Sequence, residues 1–100
     1  MEAIFTVGHR VGSPLAVALI LKTPTERGQP GRVAFVAGKR VGGAVVRNRS
    51  KRVLREAARR MGAPWQGADV VLIARRGTAD APPAAIDNAV ESLLRRGGVR

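Results

Sequence analysis

The apolar positions of this chain form short continuous runs and longer stretches with helical spacing. Residues 15–21 (LAVALIL), 32–37 (RVAFVA) and 69–74 (DVVLIA) are continuous runs bounded by Gly, Pro or charged residues. Runs of about four to eight apolar residues between turn signals are typical of buried strands. The pattern predicts three main strands. The first two are expected to pair antiparallel because the loop between them is short, and the third is apolar enough to be central.

Shorter and more amphipathic segments complete the predicted order. Residues 1–7 can form a turn or two of helix, and residues 9–12 a brief extended piece. A last helix is predicted from Pro83 to a stop at Gly97, with apolar residues at helical spacing: Ile86, Ala89, Val90, Leu93 and Leu94. The order α-β-β-β-α-β-α indicates an α+β fold, a small mixed sheet with helices packed against it, in one domain spanning residues 1–100. By default, the strand–helix–strand crossover would be right-handed.

The most informative stretch is a basic helix predicted to begin near Ala44 and to stop before Gly62 and Pro64. Residues 38–60 hold nine of the 18 basic residues against one acid. The apolar side of the helix comprises Val46, Val53, Leu54, Ala57 and Met61, with Ser50 small enough to join. A separate row at four-residue spacing comprises Arg47, Lys51, Arg55 and Arg59, broadened by Arg49 and Arg52.

A charged helix face is usually only solvated, but this face is nearly single-signed. Like charges four residues apart destabilise an isolated helix, so a solvated helix normally mixes signs. An uncompensated row therefore indicates that a partner supplies the opposite charge, and phosphates are the expected partner groups.

Composition narrows the class of that partner. The chain has 100 residues, 45% of them hydrophobic, and a formal net charge of +11, which favours nucleic acid or an anionic membrane surface as partner. There is no cysteine, no apolar run near the length of a membrane span, and no pattern of a signal peptide. We expect a soluble cytoplasmic protein.

Catalytic constellations are missing from the sequence. His9 is the only histidine, and no acidic residue has a sequence relation to it that would indicate a nucleophilic triad. The carboxylates are scattered, without zinc or calcium spacing. The three aromatic residues, Phe5, Phe35 and Trp65, are too few for a base-stacking sheet. The polypeptide is not expected to be an enzyme by itself.

Residues 38–55 (GKRVGGAVVRNRSKRVLR) resemble the signature of the protein subunit of bacterial ribonuclease P. That signature runs approximately Ser-Lys-Lys-Val-Gly-Asn-Ala-Val-x-Arg-Asn-x-x-Lys-Arg-x-x-Arg. The flanking segments GRVAFVAGK and ADVVLIAR and the terminal amphipathic helix agree as well, so the resemblance covers the chain from Phe5 onward. Two glycines depart from it, Gly38 at the usual serine and Gly43 at the usual asparagine, and the chain begins where the family is already inside its first helix.

The resemblance implies a two-layer α-β-β-β-α-β-α sandwich with a left-handed crossover, contrary to the default. It implies a partner of a catalytic RNA that removes the 5′ leader from precursor tRNA, the RNA holding the active site and its Mg²⁺ ions. The polypeptide would carry no catalytic site and would help to recruit the metal ions. The implied RNA-binding residues are Lys39, Arg40, Arg47, Asn48, Arg49, Lys51, Arg52 and Arg55. Phe5 would line a leader cleft between the sheet and the first helix.

Other readings of the basic face stay open at this point. A general RNA-binding or ribosomal-type protein would share the basic face. A DNA-binding regulator is less favoured because no helix-turn-helix pair is recognisable, and a membrane-surface helix because the apolar face is narrow and lacks an aromatic anchor. Asn48 is a poor mid-helix residue, so it is expected either to contact RNA or to make a local backbone hydrogen bond. The oligomeric state is open.

Overall fold

A computed structural model describes residues 9–22 and 31–99 as a four-stranded mixed sheet with two helices. The elements are β1 (His9–Gly12), β2 (Ala16–Lys22), β3 (Val33–Val36), a 3-10 turn (Lys39–Val41), α1 (Ala44–Arg60), β4 (Ala68–Ala74) and α2 (Pro83–Arg96). The predicted order is confirmed for these elements. The helix predicted over residues 1–7 lies outside the described residues.

The sheet order is β1-β2-β4-β3, which corrects one predicted pairing. β2 is antiparallel to β4, with Leu19 opposite Val71, and β3 is parallel to β4, with Phe35 opposite Leu72. The expectation that residues 15–21 pair with residues 32–37 is therefore wrong. β4 is buried along nearly its whole length, so it buries the most apolar surface when a strand lies on each side of it. The four-residue β3 is half-buried and lies at the edge of the sheet. The connection between β2 and β3 is also too long to impose a hairpin.

Both helices pack on one face of the sheet and form a two-layer core. Alternate strand residues such as Ile20, Val70 and Leu72 point into this core because strand side chains alternate between faces. The helices contribute Ser50, Leu54, Ala57 and Ala58 from α1 and Ile86, Val90, Leu93 and Leu94 from α2. Leu19 and Val71 form a smaller apolar cluster on the other face. The helical layer thus orients α1 with one side against the sheet and the other side outward.

The predicted apolar side of α1 is confirmed at its centre and differs at its start. Leu54 and Ser50 are fully buried, and the Ser50 hydroxyl donates a hydrogen bond to the Val46 carbonyl at 2.8 Å, which satisfies the only polar group of that side chain. Val46 itself is 37% exposed and lies one helical turn before Ser50, the first buried residue of the helix. Ala58, which the periodicity did not include, is buried.

The ends of α1 follow from two glycine residues. Gly42 has φ of +148°, and a Cβ at this position would lie 3.0 Å from the Cβ of Val46. The chain therefore turns into the helix where only glycine fits. Gly62, with φ of +91°, ends the helix as predicted. β3 and β4 are parallel, so the chain between them forms a crossover connection through α1. The handedness of this crossover stays a prediction.

Candidate nucleic-acid interface

The outward side of α1 carries seven basic residues, and three of them have carboxylate partners. Arg52 lies 3.4 Å from Glu56 on the same helix, Arg49 lies 4.0 Å from Asp80, and Arg60 lies 2.7 Å from an Asp87 oxygen of α2. The Arg60–Asp87 contact is a two-pronged ion pair that ties α1 to α2. Hydrogen bonding to Asp87 raises the pKa of Arg60.

The other four basic residues have no carboxylate within 4.0 Å in residues 9–22 and 31–99. They are the row predicted from four-residue spacing: Arg47, Lys51, Arg55 and Arg59. We call them the basic row. All five acidic residues of the described ranges are already paired with an arginine. The basic row therefore has no intramolecular charge compensation from the described part of the chain.

Arg47 stands out within the basic row because its side chain is half-buried and its Nε is fully buried. That Nε has no hydrogen-bond acceptor among the described residues. A buried donor left without an acceptor costs about 1–3 kcal/mol.

Asn48 and Arg49 extend the interface beside the basic row. The Asn48 side chain is exposed and makes no hydrogen bond to the described part of the chain, so it is not a local cap of the helix. Its amide is available as both donor and acceptor. The Arg49 side chain is 59% exposed, and its 4.0 Å contact with Asp80 is a weak surface pair.

A second basic cluster forms where the 3-10 turn enters α1. Lys39 and Arg40 are exposed in that turn, and Arg76 Nε donates a hydrogen bond to the Arg40 carbonyl at 3.2 Å. A groove of about 650 Å³, the entrance groove, is lined by Pro14, Arg40, Val41, Ala74, Arg75 and Arg76. It gathers three arginines from two segments that are far apart in sequence.

Arg75 and Arg76 were not among the residues predicted for the site. The signal that could have found them is their position directly after β4, because β3 and β4 are parallel and their carboxyl ends meet at one edge of the sheet. Lys39 and Arg40 follow β3 at the same edge. Phe5, the residue predicted for a leader cleft, lies outside the described residues.

Within the described part of the chain, neither a metal site nor a membrane-spanning helix adds to this interface. Across residues 9–22 and 31–99, no three histidine or acidic side chains gather closely enough to hold a metal ion. The described residues therefore do not by themselves fit a metal centre. In the same ranges no helix is both long and apolar enough to cross a bilayer.

Comparison with known proteins identifies the family. The Ribonuclease P family model matches residues 2–98. The chain belongs to the ribonuclease P family. The family predicted from residues 38–55 is thereby confirmed.

Individual ribonuclease P proteins agree in sequence and in fold. The ribonuclease P protein component of Symbiobacterium thermophilum is 40% identical over 98% of this chain and 84% of its own length. That of Gluconacetobacter diazotrophicus is 42% identical over 93% and 80%. The structure of the Staphylococcus aureus RNase P protein matches with a TM-score of 0.78 at 26% identity, covering 98% of this chain and 88% of that one. The Thermotoga maritima RNase P protein matches with a TM-score of 0.77 at 28% identity, covering 95% and 88%. The α+β fold is confirmed.

Proposed function

We propose that this chain is the protein subunit of a ribonuclease P ribonucleoprotein, which binds a catalytic RNA and precursor tRNA and assists removal of the 5′ leader. Membership of the ribonuclease P family supports a role in an endoribonuclease complex. The observation that carries the proposal is the basic row on α1. Its four cations lack carboxylate partners in the described ranges, while every described acid is paired elsewhere.

The catalytic RNA is the expected partner of α1. A polyanion brought against the basic row releases condensed counterions, which is the main source of affinity in such interfaces. Arginine adds orientation, because its planar fork can hold a phosphate with two parallel hydrogen bonds. The exposed amide of Asn48 gives this side of the helix a hydrogen-bond donor and an acceptor beyond simple charge.

The entrance groove suits a single strand that approaches the end of α1. Arg40, Arg75 and Arg76 bring three cations to one concave surface, and Lys39 lies next to them in the 3-10 turn. We assign this groove to the sugar–phosphate backbone near the cleavage site. Phe5 would add an aromatic contact to the leader, as the family resemblance implies.

Chemistry in this proposal belongs to the RNA partner. The Mg²⁺ ions are held chiefly by the RNA and supply charge stabilisation at the scissile phosphate. The protein binds and orients the RNA and the leader, and its positive field lowers the repulsion between the two RNAs. No step of the reaction is assigned to a side chain of this polypeptide.

The test is cleavage of a precursor tRNA by the cognate catalytic RNA at low Mg²⁺, with and without the protein. Substrates with and without a long leader are compared, and the RNA is first confirmed to be active alone at high Mg²⁺. The proposal expects rescue of cleavage and a preference for the leader-bearing substrate. Failure of the folded protein to rescue cleavage would refute it and favour a general RNA-binding protein.

A further inference from the structure

A second groove, the lateral groove, lies beside the C-terminal half of α1, away from the entrance groove. It is formed by β3, α1 and the turn that follows α1, and its volume is about 520 Å³. Small-molecule sites have volumes of about 300–1,000 Å³. The apolar part of its lining consists of Val33, Phe35, Ala58, Ala63 and Pro64.

Among the described residues, the charged part of the lining consists of three arginines, Arg32, Arg55 and Arg59, and none of the lining residues in these ranges is acidic. Arg55 and Arg59 belong to the basic row and have no carboxylate within 4.0 Å in the described ranges. Arg32 contacts Asp69 at 3.3 Å, but 87% of its side chain is exposed and its charge remains accessible. This charge pattern selects an anion that also carries an apolar or aromatic group.

The contact between Arg55 and Phe35 indicates that the apolar or aromatic group is flat. The Arg55 guanidinium lies over the Phe35 ring, 5.5 Å from its centroid. Unpaired RNA bases are commonly held by stacking on aromatic rings and on guanidinium planes. An exposed cation–π contact is weak, so the guanidinium can move outward and let a flat base enter beside the ring.

The position of Phe35 in the sheet keeps the groove open. β3 is an edge strand with a single neighbour, β4, so no further strand of the described sheet covers the side of Phe35 that faces the groove. Phe35 is half-buried rather than enclosed in the core. The groove is also continuous with the basic row through Arg55 and Arg59, so an RNA bound to α1 passes its mouth.

We propose that the lateral groove binds one unstacked nucleotide of the RNA that lies on α1. The base stacks between Phe35 and Arg55, and its phosphates contact Arg59 and Arg32. This inference rests on the proposed function, because the RNA must first bind to α1. It assigns roles to Phe35 and Arg32, which the sequence analysis did not place in the site, and a nucleotide contact to Arg59 of the basic row.

The experiment compares two RNA hairpins that differ in one base. One hairpin carries a single bulged adenosine, and the other carries an abasic ribose at the bulge, so the phosphates are identical. Stacking of one base on a protein platform is worth about 5-fold or more in affinity. We expect the wild-type protein to bind the adenosine hairpin at least about 5-fold tighter than the abasic one.

Three variants separate stacking from charge. Phe35→Leu keeps an apolar side chain and should remove the preference for adenosine while leaving affinity for the abasic hairpin unchanged. Lys51→Ala should weaken binding of both hairpins equally and keep the preference. Arg55 is exposed, so Arg55→Gln should reduce the preference for adenosine without affecting folding. This variant keeps the test decisive if Phe35→Leu proves unstable in a thermal melt.

A direct readout uses the methyl resonances of Val33, Ala58 and Ala63 in NMR titrations. The adenosine hairpin should shift these resonances, and the abasic hairpin should not. The proposal for the lateral groove would be refuted if the protein bound both hairpins with equal affinity and neither hairpin shifted the methyl resonances. If binding still depended on salt and on Lys51, the proposed function would remain intact. No binding of either hairpin, or of the catalytic RNA, would overturn both.

Discussion

Removing two cations from the basic row should flatten the salt dependence of RNA binding. In the Arg47→Ala/Lys51→Ala variant both changes lie on the outward side of α1, so the core around Leu54 is untouched. Each phosphate contact contributes about −0.9 to the slope of log affinity against log salt. About six contacts give a slope of roughly −5, and loss of two reduces it to about −3.5.

The corresponding change in affinity is large enough to measure. Between 50 and 200 mM salt, the wild-type affinity for the catalytic RNA should fall about 10³-fold, and that of the double variant only about 10²-fold. Fluorescence anisotropy with labelled catalytic RNA at four or more salt concentrations gives the two slopes. Thermal melts followed by circular dichroism verify that the variant is folded.

A matched control removes the same charge from α2. Arg95 is paired with Glu91 at 2.7 Å and Arg96 donates to the Gly12 carbonyl at 2.8 Å, so neither belongs to the basic row. Arg95→Ala/Arg96→Ala has the same net charge as the first variant, and its slope should stay near the wild-type value. Equal slopes for the two double variants would show that only net charge matters and would refute the role of the basic row.

Three further predictions test the fold and the entrance groove. Leu54→Ala, at a fully buried position, should lower the free energy of unfolding by about 2–5 kcal/mol in urea titrations, and a loss below about 1 kcal/mol would contradict the packing of α1. Gly42→Ala should cost about 1–3 kcal/mol because of its positive φ and its contact with Val46, whereas Gly43→Asn, which points into open space with φ of −71°, should be neutral or stabilising by a few tenths of a kcal/mol as a helix cap. The melting temperature of Gly42→Ala should therefore fall, and that of Gly43→Asn should equal or slightly exceed the wild-type value. Arg76→Ala should reduce the preference for leader-bearing precursor tRNA in cleavage assays without lowering thermal stability, and an unchanged preference would exclude this arginine from leader binding.

Local patterns predicted the elements of this fold well. The start of α1 at Ala44, the burial of Ser50 and Leu54, and the stop at Gly62 follow from residue spacing and glycine placement, which act within one or two helical turns. The family was also readable from residues 38–55, because those residue types stand in a dense and ungapped pattern.

Strand pairing was not readable from the same patterns. The loop between β2 and β3 suggested a hairpin, but β4 separates the two strands. Which strand takes the centre depends on how much apolar surface each strand buries between two neighbours, and that is a property of the whole sheet. The pairing in turn brings Arg75 and Arg76 beside Arg40, a cluster that no single stretch of sequence contains.

The sequence by itself determined the position of the basic row, and the tertiary structure decided which cations stay uncompensated. Four-residue spacing places Arg47 and Lys51 on one side of a helix whatever surrounds it. The carboxylates that pair with Arg49, weakly, and with Arg60 are those of Asp80 and Asp87. They come from segments beyond β4 and are brought into contact only by folding. Charge compensation acts through space rather than along the chain, so the interface is defined only once the sheet has set α1 against α2.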